Sequence, residues 1–209
     1  DVAEEITRHL PSMLDRAIAS GPYVNFFLSA HGLAGLLLGK KAVVKKTSKK
    51  ETVIIEYVSP NTNKPLHLGH VRNAVLGTSI ANLLTKTGKK VIKTCLVNDR
   101  GIHICKSMVA YGNTIHDSRF TIHGKNATPK TEKKKGDHFV GDLYVLFDTL
   151  LKENPDIINE TQECLKLWEA GDKKTRALWK KMNAWVLSGM KETYAHLGIA
   201  FDKTYYESR

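Results

Sequence analysis

The stretch Thr52-Val53-Ile54-Ile55-Glu56-Tyr57-Val58 constrains this chain more than any other. A β-branched, almost unbroken apolar run of this kind predicts a strand covered on both faces, as in a parallel sheet. A Pro- and Asn-rich turn follows over residues 59–66. Val71, Ala74, Val75, Ile80, Leu83 and Leu84 then mark one face of a helix ending near Gly88, and Lys90 to Val97 supplies a second strand. Strand, turn, helix and strand in this order form a βαβ unit, so the spacing predicts an α/β fold with a doubly wound parallel sheet.

The flanks read differently. Val2, Ile6, Leu10, Met13, Leu14 and Ile18 recur at helix spacing with no cap before them, so the chain is expected to begin inside a domain. Gly21-Pro22 should end that helix, and Tyr23 to Leu28 reads as a strand. A lysine-rich connector over residues 40–50 is the expected boundary. Beyond residue 113 strand signals stop. Residues 113–138 read as a mobile polar loop, and Phe139–Lys152 and Ile158–Ala170 as helices. A longer helix runs from the cap Asp172 to Gly198, with Leu178, Met182, Trp185, Met190, Tyr194 and Leu197 as its buried stripe. Trp168, Trp179, Cys105, Met108 and Tyr111 are expected in packing.

Bulk properties narrow the class. At 42% hydrophobic and 25% charged residues, disorder is excluded. The longest apolar stretch, Leu33 to Leu38, is far short of the ~20 residues a bilayer needs, and no basic-then-apolar leader opens the chain. Cys95, Cys105 and Cys164 lack CxxC spacing, which argues against a disulfide framework or a zinc site and for a reducing, cytoplasmic compartment. Lys+Arg 32 against Asp+Glu 21 leaves a formal charge of +11. The lysines cluster at Lys40, Lys41, Lys45, Lys46, Lys49 and Lys50, and again at Lys125, Lys130, Lys133, Lys134 and Lys135, which favours a polyanionic partner over a merely solvated surface.

The chemistry concentrates in His67-Leu68-Gly69-His70, at the start of the first crossover helix. In an open α/β sheet, ligands bind at the carboxyl ends of the strands, where a helix start offers free N–H groups and a positive dipole end. Two imidazoles there can donate to phosphate oxygens, and a glycine between them lets a flat base approach. Together they suit a transition state that gathers charge on a nucleotide α-phosphate. A surface pair or metal-ligating pair of histidines is the competing reading. No third ligand has convincing spacing, so nucleotide binding is preferred and no metal site is assigned. Glu56, at the strand end, would face the crevice and take a planar cation such as a guanidinium, or else pair internally with Arg72. Asp99 either acts likewise or caps the next turn.

The string Glu56-Tyr57-Val58-Ser59-Pro60-Asn61-Thr62-Asn63-Lys64-Pro65-Leu66-His67-Leu68-Gly69-His70-Val71-Arg72-Asn73-Ala74 resembles the HIGH region of class I aminoacyl-tRNA synthetases of the arginyl family, bacterial type. Val97-Asn98-Asp99-Arg100-Gly101 is similar to that family's segment after the next strand, with softer likeness at Asp137–Asp142, Trp168–Asp172 and Leu178–Met182. The resemblance implies the first half of a Rossmann-type, parallel-sheet catalytic domain over residues 51–209, largely a helical insertion from 113 onward. It implies that residues 1–50 are the tail of an N-terminal α/β, tRNA-contacting domain plus linker. His67, Gly69 and His70 would hold ATP, and His67 and His70 would act in catalysis. Glu56, Ser59, Asn61 and His70 would contact arginine. Lys64 would either share in gripping the triphosphate or be a solvent-facing turn lysine. Lys40, Lys41, Lys45, Lys46, Lys49 and Lys50 are candidates for tRNA binding.

The implied substrates are L-arginine, ATP with Mg2+, and tRNA(Arg). No tightly bound cofactor or membrane is expected, and the protein is expected to be a monomer. The family's KMSKS loop is missing, because Lys46-Thr47-Ser48-Lys49 matches its letters but precedes the HIGH strand. The chain is therefore expected to be truncated at both ends. A small nucleotidylyltransferase with the same HxGH, or a non-catalytic synthetase-derived binding module, are the alternatives.

Overall fold

The computed structural model describes residues 5–6, 8–38, 51–114 and 127–209. It divides into two units, Asp1–Lys45 and Lys46–Arg209. The 40–50 lysine cluster and Lys125 lie outside the described residues.

In the first unit, β1 (Leu14–Ser20) and β2 (Tyr23–Leu28) form an antiparallel hairpin, followed by helix α1 (Ala30–Leu38). The helix expected through Ile18 is thus a strand from Leu14 onward. Ser20 pairs with Tyr23 across Gly21-Pro22, and Gly21 has a φ of 57°. Glycine at positive φ in the first central position is what a tight type II′ hairpin turn requires. Gly21-Pro22 therefore reverses a strand, and pairing with the Tyr23–Leu28 strand outweighs the helical spacing before it. Ser29 opens α1 by accepting the Gly32 N–H on its hydroxyl at 2.9 Å.

In the second unit, β3 (Thr52–Glu56), α2 (Leu68–Lys86) and β4 (Lys90–Val97) make the βαβ unit, with β3 and β4 parallel and Val53 level with Val91. The chain then runs through α3 (Ile102–Thr114), α4 (Gly136–Glu153), α5 (Ile157–Glu169) and α6 (Lys173–His196) before β5 (Lys203–Tyr206). β5 lies parallel to β4, giving a sheet ordered β3-β4-β5. This strand was absent from the sequence reading. Its four residues carry no alternating pattern, and its place is set from outside: Asp202 accepts the Lys93 N–H on its carboxylate at 2.7 Å and donates its own N–H to the Lys93 carbonyl at 2.8 Å.

Two expectations about burial need correction. β3 is an edge strand, and Ile54 is 66% exposed, so the run is not covered on both faces. Helix α2 meets its neighbours through Ala74, Gly77 and Ala81, while Val75, Ile80 and Leu83 are exposed. The cause is proximity: a Cβ on Gly77 would run into the Tyr57 ring, so only small residues fit between helix and strand end.

The main core lies among the four later helices. Ile104, Met108 and Tyr111 of α3 meet Phe139, Leu143 and Phe147 of α4 and Met182, Val186 and Met190 of α6. Asp172 caps α6, its carboxylate accepting the Thr175 N–H at 2.8 Å. The buried stripe of α6 runs as expected from Met182 to Met190, but Leu197 is exposed. The expected loop is ordered over residues 127–135: Tyr111 donates its hydroxyl hydrogen to the Ala127 carbonyl at 2.9 Å, and Ala127 is buried. No described helix is long and apolar enough to cross a membrane.

Candidate active site

The β3 strand ends in an unusual backbone. Val58 and Ser59 both have positive φ, 71° and 40°. Neither is a glycine and Val58 is β-branched, so this conformation costs free energy, on the order of 1–3 kcal/mol per residue, and persists only where its surroundings impose it. They do so here. Asn73, in the first turns of α2, accepts the Val58 N–H on Oδ1 at 2.6 Å. Ser59 accepts the Leu96 N–H of β4 on Oγ at 3.2 Å and donates its hydroxyl hydrogen to Glu56 Oε1 at 2.8 Å. Asn61 then sits beside Asn98 in a parallel bridge, with Asn98 N–H on the Pro60 carbonyl at 3.0 Å and Thr62 N–H on the Asn98 carbonyl at 3.1 Å. The turn is thus stitched to the end of β4, which brings Glu56, Ser59 and Asn61 together at the carboxyl edge of the sheet.

Glu56 is exposed, and no Glu56–Arg72 ion pair is present among the described residues. Its carboxylate is oriented by Ser59 instead.

Lys64 and Pro65 are seated on α4, where a Cβ on Gly141 would meet the Pro65 ring at 2.7 Å. The turn then delivers His67 to the α2 N-terminus, where the two histidines cap the helix reciprocally. Gly69 N–H donates to His67 Nδ1 at 3.1 Å, and His67 N–H donates to His70 Nδ1 at 3.2 Å. The rings lie 4.0 Å apart between centroids. A ring nitrogen that accepts an N–H carries no proton, so each neutral imidazole bears its hydrogen on Nε2. Both rings are then Nε2–H donors at the positive dipole end of a helix, an arrangement suited to phosphate oxygens. His70 is held neutral: burial, then the nearby His67 and Lys64 charges, lower its pKa below 6.5.

Gly69 has a structural reason that sequence reading did not supply. A Cβ there would lie 2.9 Å from His67 Cε1, so the residue must be glycine for the His67 ring to fold over the helix end.

Asn73 and Asp99 carry more of the site's architecture than the sequence suggested. Asp99 is buried and its carboxylate accepts the Ser208 N–H at 3.0 Å and the Ser208 hydroxyl hydrogen at 2.7 Å, so it fastens the chain after β5 rather than capping the next turn. Asn73 is one of several polar residues on this helix, and nothing in the sequence pointed from it to Val58. In the second lysine cluster, Lys134 pairs with Asp142 at 2.6 Å and Lys135 with Asp137 at 3.3 Å, which neutralises part of it internally.

In an open parallel α/β sheet the carboxyl ends of the strands, where the two helix-capping imidazoles lie, are the place where ligands bind. Residues 33–208 match the family model described as tRNA synthetases class I (R), catalytic domain, and the chain belongs to that family. It is 44% identical over 216 residues to an arginine–tRNA ligase of Bacteroides fragilis, covering 95% of this chain and 34% of that protein. It is 47% identical over 198 residues to one of Treponema denticola, covering 91% of this chain and 32% of that protein. The solved Thermus thermophilus arginyl-tRNA synthetase aligns over 99% of this chain and 32% of its own, with a TM-score of 0.57 and 26% identity. This chain thus spans about a third of the length of the relatives it matches. Membership in this family sets aside the small nucleotidylyltransferase.

Proposed function

We propose that the chain is the ATP- and arginine-binding part of an arginine–tRNA ligase, which joins L-arginine to ATP and passes it to the 3′ end of tRNA(Arg). The reciprocal His67–His70 cap carries this reading, because it leaves two oriented Nε2–H donors at a helix start. The arginine carboxylate attacks the α-phosphorus, the bond to pyrophosphate breaks, and His67 and His70 stabilise the negative charge gathering on the phosphate oxygens. Lys64 adds positive charge beside them. No side-chain nucleophile is needed, since the attacking group is already a carboxylate; orientation and charge supply the catalysis.

Glu56, oriented by Ser59, is the proposed partner of the arginine guanidinium, with Ser59, Asn61 and His70 contacting the same substrate. Magnesium enters as part of the substrate, bound to ATP; among the described residues no three of His, Cys, Asp and Glu are grouped as metal ligands. Residues 1–50 are proposed as the tail of a tRNA-contacting domain and its linker, residues 51–209 as the first part of the catalytic domain, and the protein as a cytoplasmic monomer.

The test is calorimetric titration with a non-hydrolysable arginyl-adenylate analogue beside its lysyl and glutaminyl counterparts. Selective binding of the arginyl compound supports the reading. Equal binding of all three would remove arginine specificity from these residues. Binding of tRNA with no analogue bound would replace the catalytic reading with a non-catalytic tRNA-binding module.

A further inference from the structure

Strand β5 brings one more carboxylate to the carboxyl edge of the sheet. Glu207 follows it directly and donates its N–H to the Val97 carbonyl at 3.1 Å, while the next residue, Ser208, is fastened by Asp99. Glu207 is thereby held beside Asn98, the residue that forms the parallel bridge with Asn61.

Asn98 is half-buried, and one orientation of its side-chain amide satisfies both ends. In that orientation Nδ2 donates to the Arg100 carbonyl and to Glu207 Oε2, each at 2.8 Å, and Oδ1 faces the Asn61 side-chain amide at 3.2 Å. A carbonyl and an ionised carboxylate accept hydrogen bonds and cannot donate them, so both amide hydrogens of Asn98 are committed. Its oxygen is what remains for Asn61, and Asn61 must answer with Nδ2. The Asn61 Oδ1 is left on the far side of its amide, without a hydrogen-bond partner among the described residues.

This direction decides what kind of substrate group Asn61 can take. An amide free to turn can accept or donate, whereas one held by its nitrogen offers an acceptor, which suits a cation. With Glu56 assigned to the arginine guanidinium, the α-ammonium is the second cationic donor of the amino acid.

We propose that Asn98 and Glu207 are positioning residues for amino-acid recognition, which orient the Asn61 amide so that its Oδ1 accepts from the α-ammonium of arginine. The inference rests on the arginine-binding reading of Glu56, Ser59 and Asn61. Asn98 and Glu207 act through Asn61 rather than on the substrate. Because the acceptor is aimed before the substrate arrives, less side-chain freedom is lost on binding.

The test is calorimetric titration of the full chain and three variants with the non-hydrolysable arginyl-adenylate analogue, and with the same compound lacking its α-amino group. Glu207 is exposed, so its substitutions leave the core intact. Glu207→Gln removes the charge but keeps an acceptor, and affinity for the arginyl analogue should stay within about twofold of the unsubstituted chain. Glu207→Lys presents donors alone, opposing the Asn98 orientation, and Asn98→Ala removes the Asn98 amide; each should lower that affinity at least about tenfold. The loss in Glu207→Lys should persist in raised salt, where a bare charge effect is screened. The compound without the α-amino group should bind the unsubstituted chain and all three variants alike. Native affinity in Glu207→Lys and Asn98→Ala, equal losses for both compounds, or a loss abolished by salt would each overturn the proposal and leave the arginine-binding reading in place. If the unsubstituted chain failed to prefer the arginyl analogue over its lysyl and glutaminyl counterparts, that reading would fall, and the proposal with it.

Discussion

Asn73 Oδ1 accepts the Val58 backbone N–H at 2.6 Å, and this single bond ties helix α2 to a strand end in which two consecutive non-glycine residues have positive φ. The geometry around the histidine pair depends on it, because the same helix carries Asn73 and the two caps.

Asn73→Ala should therefore lower stability by about 1–2 kcal/mol, since it leaves the N–H of a buried residue without an acceptor. Asn73→Asp, which keeps the acceptor, should lose less. Urea unfolding of both variants measures this; equal losses would mean the bond contributes nothing specific.

Gly69→Ala separates binding from folding. The new methyl would press on the His67 ring, displacing it from Gly69 N–H, yet alanine favours a helix over glycine by about 1 kcal/mol. Unfolding should be little changed while affinity for an adenylate analogue falls at least about tenfold, or about 1.4 kcal/mol. Unchanged affinity would show that the His67 ring position is not needed for binding.

His70 should titrate below 6.5, with burial as the main cause and the His67 and Lys64 charges adding to it. Its folded pKa lies below the unfolded value, so between the two the unfolded state binds more protons. Stability then rises with pH through that window and is lost as pH falls through the folded pKa. Protonating Nδ1 would also break the cap on His67 N–H. NMR titration of the ring should report the Nε2–H tautomer near neutral pH; a His70 pKa above 6.5 would contradict the arrangement.

Asp99→Ala removes both bonds to Ser208 and should cost about 2–3 kcal/mol, because a buried charge-assisted pair is lost. Ser208→Ala should cost less, since the backbone N–H remains. Hydrogen exchange should then rise first at Lys203–Tyr206. If the exchange increase appeared in β3 instead, Asp99 would not be the fastener of β5.

What the residues alone determined is local. The β-branched run at 52–58, the Pro/Asn turn and the apolar repeat after it were enough for a parallel βαβ unit, because those patterns describe each segment's own preferences. The His67–His70 spacing was likewise enough to place two imidazoles at a helix start. Tertiary structure decided the rest. Gly21-Pro22 became a hairpin turn because a partner strand lay on its far side. β5 formed because Lys93 and Asp202 exchange bonds across more than a hundred positions of sequence, a separation no local pattern encodes. Helix α2 turns Ala74 and Gly77 rather than its large apolar residues to the strand end, because a Cβ on Gly77 would already run into the Tyr57 ring. The hydrogen-bond directions of His67 and His70, which fix where their protons sit, came from backbone N–H groups whose positions exist only once the helix is folded.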